Sequence, residues 1–345
     1  MKQLLKILIY TCLLGFLFLL SILFIPRSYK VAQFTERPNT EYWKLSTGST
    51  IGYQKLAATT TSNNAPIIYL HGGPGGIITD QTIAMLRTLT TYGFDVYLYD
   101  QLGSGHSSRL DNIEGYTVER HRQDLAAIIE KIQAEKVILF GQSWGALLAM
   151  EFLADHPDKV EKLVFTGPGP ILPINSALSK KQSPDSLNLK TPKFSNQEGN
   201  RKAYNLRAKF LQYCAVTFGK KMSSDQEADN FFTYLNNELK KSTQCDPINI
   251  EPAGGGGGYY AHVMTVKSFR YTKDKRHKIK GLTIPTLIIK GQCDNQKWGF
   301  AEEYLQLLPN AELKIIEGAG HVVDEEHQEV YIETIRTFLN KENLR

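Results

Sequence analysis

Gly141-Gln142-Ser143-Trp144-Gly145 stands between an apolar run, Val137–Phe140, and a helical pattern over Trp144–Leu153. A serine forced into a sharp strand-to-helix turn needs small residues two positions away on either side, because larger side chains would collide there. The turn exposes the Ser143 hydroxyl and aims the free N–H groups of the helix start at the atom it attacks. Nucleophilic attack on a carbonyl is the chemistry this suits, with the Trp144 N–H stabilising the oxygen that becomes charged. Five residues of this pattern are weak on their own because they arise by chance, and the competing reading, an ordinary helix cap at Ser143, recedes once the other turns are counted. A hydroxyl also needs a base, and a neutral imidazole needs a carboxylate to orient it. Gly318-Ala319-Gly320-His321 closes one downstream strand and Gly291-Gln292-Cys293-Asp294 closes another. The order Ser143, Asp294, His321 therefore supplies nucleophile, orienting acid and base. Asp324 lies too near His321 in sequence to orient it, and His106, His156 and His262 close no strand on a glycine turn.

Two further glycine turns follow strands. His71-Gly72-Gly73-Pro74-Gly75 offers backbone N–H groups unobstructed by side chains, so Gly72 or Gly73 is expected to partner Trp144 in an oxyanion hole. His71 is expected to brace the loop. A phosphate loop is excluded, because no Gly-Lys-Ser/Thr follows and Ile78 occupies the third place of a Gly-x-Gly-x-x-Gly spacing. In Asp100-Gln101-Leu102-Gly103-Ser104-Gly105-His106-Ser107, the carboxylate precedes the nucleophile and is read as structural, holding the loop.

These turns need a scaffold that brings strand ends to one edge. Lys30–Phe34 and Thr50–Gln54 read as short leading strands, followed by continuous apolar strands at Ile67–Leu70, Val96–Tyr99, Val137–Phe140, Val160–Phe165, Thr286–Lys290 and Leu313–Ile316. Between them lie helical patterns at 117–134, Trp144–Leu153, 298–308 and 325–340. Alternation of this kind predicts an α/β fold: a mostly parallel central sheet with helices on both faces. Residues 171–280 break the rhythm, hold 19 basic against nine acidic residues, and carry a glycine tract at Gly254–Gly258. They are expected to form an inserted, mainly helical cap whose lysines are a solvated surface. The expected organisation is an N-terminal anchor over 1–30, a core over 31–170, the cap over 171–280 and the remaining core over 281–345.

The formal charge of +5 arises largely in residues 1–30, which carry four basic side chains and no acid. The remaining 36 basic and 35 acidic residues exclude a globally basic nucleic-acid binder. Lys2 and Lys6 precede nineteen uncharged residues, Ile7–Ile25, which as a helix would span about 28 Å, close to a bilayer's hydrocarbon core. The run exceeds an ordinary signal-peptide core and has no small-residue cleavage pattern before Pro26-Arg27, so a retained membrane anchor is expected, with cleavage as the alternative. The two leading lysines would place the body outside the cytoplasm. Beyond Cys12, a Cys214–Cys245 disulfide or three free thiols are both open, and no Cys or His pair has metal spacing.

His-Gly-Gly-Pro-Gly, Asp-Gln-x-Gly-x-Gly-x-Ser, Gly-x-Ser-Trp-Gly and the late Gly-x-x-Asp and Gly-His together resemble the proline iminopeptidase branch of the α/β-hydrolases. The resemblance covers roughly residues 40–345 apart from the cap. It implies a serine aminopeptidase with Ser143, Asp294 and His321 as triad, Trp144 with Gly72 or Gly73 as oxyanion hole, a small peptide substrate and no cofactor. Relatives hold the substrate's free amine with cap glutamates, one in a Glu-Asn-His-Tyr-like stretch. Here the corresponding stretch is Gly257-Gly258-Tyr259-Tyr260, without an acid. Glu238 or Glu251 would have to substitute, with Tyr259 and Tyr260 beside them. The missing acid keeps open an esterase or lactonase acting through the same triad, and a non-catalytic binding scaffold stands behind both.

Overall fold

The computed structural model describes residues 1–61, 63–247 and 252–341. Helix α1 (Lys2–Phe24) is apolar on every side and buries none of its residues. After it, β1 (Glu41–Lys44) and β2 (Thr50–Leu56) form an antiparallel pair that begins the sheet. Trp43 of β1 stacks on Tyr53 of β2 with ring centroids 3.5 Å apart, a cross-strand pair that fixes their register.

The expected strand at Lys30–Phe34 does not form. Its neighbours explain why: this stretch is held by side chains rather than by a ladder. The Arg27 N–H donates to Glu227, the Arg37 N–H donates to His106, and Phe34 packs on the His106 ring at 4.7 Å.

The sheet continues with β3 (Ile67–Leu70), β4 (Val96–Tyr99), β5 (Val137–Gln142), β6 (Val160–Thr166), β7 (Thr286–Gly291) and β8 (Ala311–Ile316). Its order is β1-β2-β4-β3-β5-β6-β7-β8, parallel from β4 onward. Helices α2 (Asp80–Arg87), α3 (Val118–Ile132), α4 (Trp144–Leu153), α10 (Trp298–Leu307) and α11 (Gln328–Leu339) are the crossovers and flanking layers. Alternate residues of a strand point to opposite faces. Leu139 and Phe165 thus join a core containing α3 and α4, while Ile138 and Phe140 join one containing α2 and α11. Truncating Leu139 or Phe165 to alanine would cost about 2–5 kcal/mol. All ten residues of α4 are buried, which is why its sequence shows no polar stripe.

Between β6 and β7 the chain leaves the sheet and forms α5 (Asn196–Ala203), α6 (Leu206–Phe218), α7 (Asp225–Leu239), α8 (Tyr259–Ser268) and α9 (Arg276–Ile279). A buried Arg207–Glu227 pair joins α6 to α7, with Nη2 2.6 Å from Oε2. Tyr259 packs edge-on against Phe231. At the neck, Arg276 donates to the carbonyls of Ile171, Leu172 and Pro173 and pairs with Glu303 of α10.

Candidate active site

Register brings the strand ends to one level. Leu70 is opposite Gly141, Gly141 opposite Phe165, Thr166 opposite Ile289, and Gly291 opposite Ile316. The segments that follow β3, β5, β6, β7 and β8 therefore leave the sheet side by side along its carboxyl edge, where parallel sheets place ligands.

Ser143 sits between β5 and α4 at φ 53° and ψ −113°, a conformation that costs a non-glycine residue about 1–3 kcal/mol. Its neighbours permit the turn. A Cβ on Gly145 would collide with the Leu70 carbonyl, and one on Gly141 would lie 2.5 Å from the Ala146 nitrogen. The Ser143 N–H donates to the Thr166 carbonyl at 3.0 Å, tying the turn to the end of β6. Trp144 is the first residue of α4, so its N–H has no partner within the helix. Gly72 lies alongside: a Cβ there would come 3.3 Å from the Ser143 Cβ. Gly73 has φ +127°, reachable only without a side chain.

His71 braces this loop. Its Nε2 accepts from the Gln101 N–H at 2.9 Å, so Nδ1 carries the proton and donates to the Gly72 carbonyl at 2.8 Å. Burial lowers its pKa, which keeps the ring neutral. Gln101 also receives the Trp144 indole N–H at 2.7 Å, linking two of the glycine turns to the elbow. Asp100 is fully buried and accepts from the N–H groups of Ile78 and His106 at 2.8 and 3.0 Å, holding its loop.

His321 Nδ1 lies 2.8 Å from Asp294 Oδ1. In the neutral ring Nδ1–H donates to the carboxylate, leaving Nε2 as the basic atom. Burial by itself would raise the Asp294 pKa. His321, then Lys290, and the Gln296 N–H reverse that and hold it at about 2. Lys290 is a buried ammonium, 2% exposed, 3.0 Å from Asp294 Oδ2 and 2.8 Å from the Gln296 carbonyl. Tyr331 of α11 lies close enough for Asp294 and Asp324 to add to the upward shift that burial gives its hydroxyl. Asp324 bonds His327, not His321.

A turn after β6 connects the two halves. A Cβ on Gly167 would lie 2.6 Å from His321 Nδ1, and the Gly169 N–H donates to the Ser143 carbonyl at 3.1 Å. Ser143 and His321 thus flank the same Gly167–Gly169 turn. The His321 N–H donates to the Thr243 carbonyl, so the chain beyond α7 also touches the site.

That contact explains a correction. Cys245 pairs with Cys293, not with Cys214, which is a buried free thiol on α6. Cys245 lies two residues beyond Thr243, which rests on His321, whereas Cys214 faces the interior of the insertion. The disulfide joins the insertion to the residue preceding Asp294.

The substrate-binding expectations are placed less closely. Glu238 is half-buried on α7 with its backbone against Gly199 of α5, and among the described residues no bond joins it to Ser143 or His321. Glu251 lies outside the described residues. Tyr259 is fully buried and the Tyr260 hydroxyl bonds Ser223 at 2.9 Å, so both pack within the insertion.

A family model described as the alpha/beta hydrolase fold matches residues 65–328. The chain belongs to the alpha/beta-hydrolase fold family. Among curated relatives, a proline iminopeptidase of Heyndrickxia coagulans is 27% identical over 297 residues, covering 85% of this chain and 96% of the relative. One from Lactobacillus crispatus is 28% identical over 283 residues, covering 81% and 92%. Among solved structures, an esterase from Exiguobacterium antarcticum superposes with a TM-score of 0.57 at 18% identity, covering 87% of this chain and 99% of its own. At that identity the likeness is one of fold. In this hydrolase, sequence reasoning missed Lys290 and took Gly167-Pro168-Gly169-Pro170 only as the close of a strand, not as part of the site. Lysine within the otherwise apolar strand Thr286–Gly291, four residues before Asp294, was the available signal.

Proposed function

We propose that this hydrolase is a serine aminopeptidase releasing an N-terminal residue, preferably proline, and that α1 anchors it in a membrane with the body outside the cytoplasm. One observation carries the reading: Ser143, in a strained elbow, shares one glycine turn with an imidazole whose Nδ1 is held by a buried carboxylate. Resemblance to proline iminopeptidases across 81–85% of the chain supports the substrate class.

Ser143 Oγ attacks the carbonyl while His321 Nε2 takes its proton. The carbonyl π electrons move to oxygen, and the N–H groups of Trp144 and Gly72 or Gly73 receive that charge. Collapse of the tetrahedral species breaks the C–N bond, and His321 returns the proton to the departing amine. Water, deprotonated by His321, then cleaves the acyl-enzyme and restores Ser143. Losing one oxyanion donor in such a site costs about 2.7–4 kcal/mol of transition-state stabilisation. Residues 171–280 act as the cap that bounds the substrate.

The test is kcat/KM on a prolyl anilide with a free amine against its N-acetylated form, with Ser143→Ala as control. Strong preference for the free amine, abolished by Ser143→Ala, is the expected result. No cleavage of either alongside fast turnover of a short acyl ester would make the protein an esterase, a reading favoured by the absence of an acid in Gly257–Tyr260. Alkaline carbonate extraction tests the anchor: the chain is expected in the membrane pellet.

A further inference from the structure

The last turn of α1 is not free. Leu20, Ser21, Ile22 and Leu23 are half-buried, whereas the preceding turns are exposed all round. They are covered by α6: Arg207 donates to the Leu23 carbonyl, and Phe24 meets Phe210 edge-on at 5.2 Å. The Arg207 guanidinium is fixed in turn by Glu227, which also accepts the Arg27 N–H at 2.9 Å. Two residues farther on, Tyr29 packs on Phe231 and Tyr234 of α7 at 5.5 and 5.6 Å. The joint between α1 and the insertion is therefore stiff, with four separate attachments, at Leu23, Phe24, Arg27 and Tyr29, within seven residues.

Depth follows from this joint. Leu20–Phe24 belong to the uncharged run that would fill a bilayer, and one helical turn rises only about 5.4 Å. A helix packed against that last turn has to lie at the boundary between headgroups and acyl chains. The outward face of α6 has the composition for that place. Leu206 and Tyr213 are more than half exposed and flank Phe210 at i, i+4 and i+7 spacing. Phe218, 58% exposed, ends the helix with its ring against Tyr213 at 5.7 Å, and Met222 follows, also exposed. Arg201, Lys202, Lys209 and Lys220 are exposed around this apolar face. An apolar stripe with interfacial aromatics and flanking cations is how a helix lies in a membrane surface, and the cations add attraction to anionic headgroups.

We propose that the outer face of α6 rests in the headgroup region of the bilayer that α1 enters, so that the insertion holds the hydrolase against the membrane. The inference rests on the anchor reading above and adds a second contact to it. It also gives Arg201, Lys202, Lys209 and Lys220 a partner, anionic lipid, in place of bulk solvent.

The experiment uses the full chain in vesicles of phosphatidylcholine with a minority of phosphatidylglycerol, carrying lipids brominated near the headgroup or deep in the acyl chain. Tyr213→Trp adds a fluorophore at an exposed position beside the three native tryptophans. Shallow bromines are expected to quench the added emission about twofold, and deep bromines less, with the native chain unaffected. Carbonate extraction is run on the same vesicles. No quenching of the added tryptophan while the chain stays in the pellet overturns the α6 contact and leaves the anchor standing. The same result with cross-linking between chains through a Tyr213→Cys variant assigns the face to a second copy and likewise overturns it. Release of the chain into the supernatant overturns anchor and contact together.

Discussion

Lys290→Met removes the ammonium beside Asp294 while keeping a side chain of similar length and shape. Lys290 Nζ lies 3.0 Å from one oxygen of Asp294, and His321 Nδ1 lies 2.8 Å from the other. Adding the width of a carboxylate puts the two positive centres up to about 8 Å apart, where unit charges repel by about 2 kcal/mol at an effective dielectric of about 20. In the native protein an imidazolium at His321 faces that repulsion; in Lys290→Met it does not. The acid limb of kcat/KM is therefore expected to move to higher pH by about one to two units, since 1.36 kcal/mol equals one unit. The plateau above the limb stays within about tenfold, because the nucleophile and its base are untouched. The measurement is a pH profile of kcat/KM on the preferred anilide, with melting recorded at each pH. Breaking a buried pair costs about 3–5 kcal/mol, so a lower melting temperature accompanies the shift. A variant that melts earlier but keeps its acid limb within about 0.3 unit would refute the electrostatic role and leave Lys290 as packing.

Ser143→Gly abolishes turnover yet raises stability by about 1–2 kcal/mol, measured by denaturant unfolding, because glycine relieves the backbone strain at φ 53°. Cys293→Ser opens a 48-residue loop and lowers stability by about 4 kcal/mol relative to the oxidised native chain; equal unfolding midpoints would show the bond to be idle. Gly167→Ala sets a methyl against His321 Nδ1, so kcat is expected to fall more than tenfold with KM little changed, read by steady-state kinetics. Asp294, with its pKa depressed to about 2, contributes stability that is full above the ordinary carboxylate pKa of about 4. That contribution is lost as pH falls from about 4 through about 2, and an Asp294→Asn variant is expected to show a shallower decline over this window.

The readable parts of the sequence were those where a local rule and the global fold agree. Val137–Phe140 is a continuous apolar strand, the glycines around Ser143 serve the elbow, and each late strand closes on a glycine turn before Asp294 or His321. The illegible parts depend on contacts across long separations. Lys30–Phe34 alternates like a strand, but His106 and Glu227, 69 and 200 residues away from their partners Arg37 and Arg27, capture the neighbouring N–H groups. Cysteine spacing carried no information about pairing, because Cys245 reaches Cys293 only after the insertion has folded back onto β7. Lys290 looked like the polar end of a strand; only the fold reveals that this position is sealed and that its charge is answered by Asp294.

The disulfide also limits how the site can be reached. The insertion is fastened to the rest of the fold at its neck by Arg276 on Glu303, at Gly258 by the Gly75 carbonyl, at Thr243 by His321, and covalently at Cys245. A lid swinging as one body would have to detach all of these together with further bonds such as Arg109 to Asp229, and the covalent one does not detach under oxidising conditions. Opening is then confined to short stretches between fixed points, which is a narrow doorway rather than a hinged roof. Under the aminopeptidase reading proposed above, so fastened an insertion would suit substrates that enter by a terminus, which is the end such an enzyme has to reach.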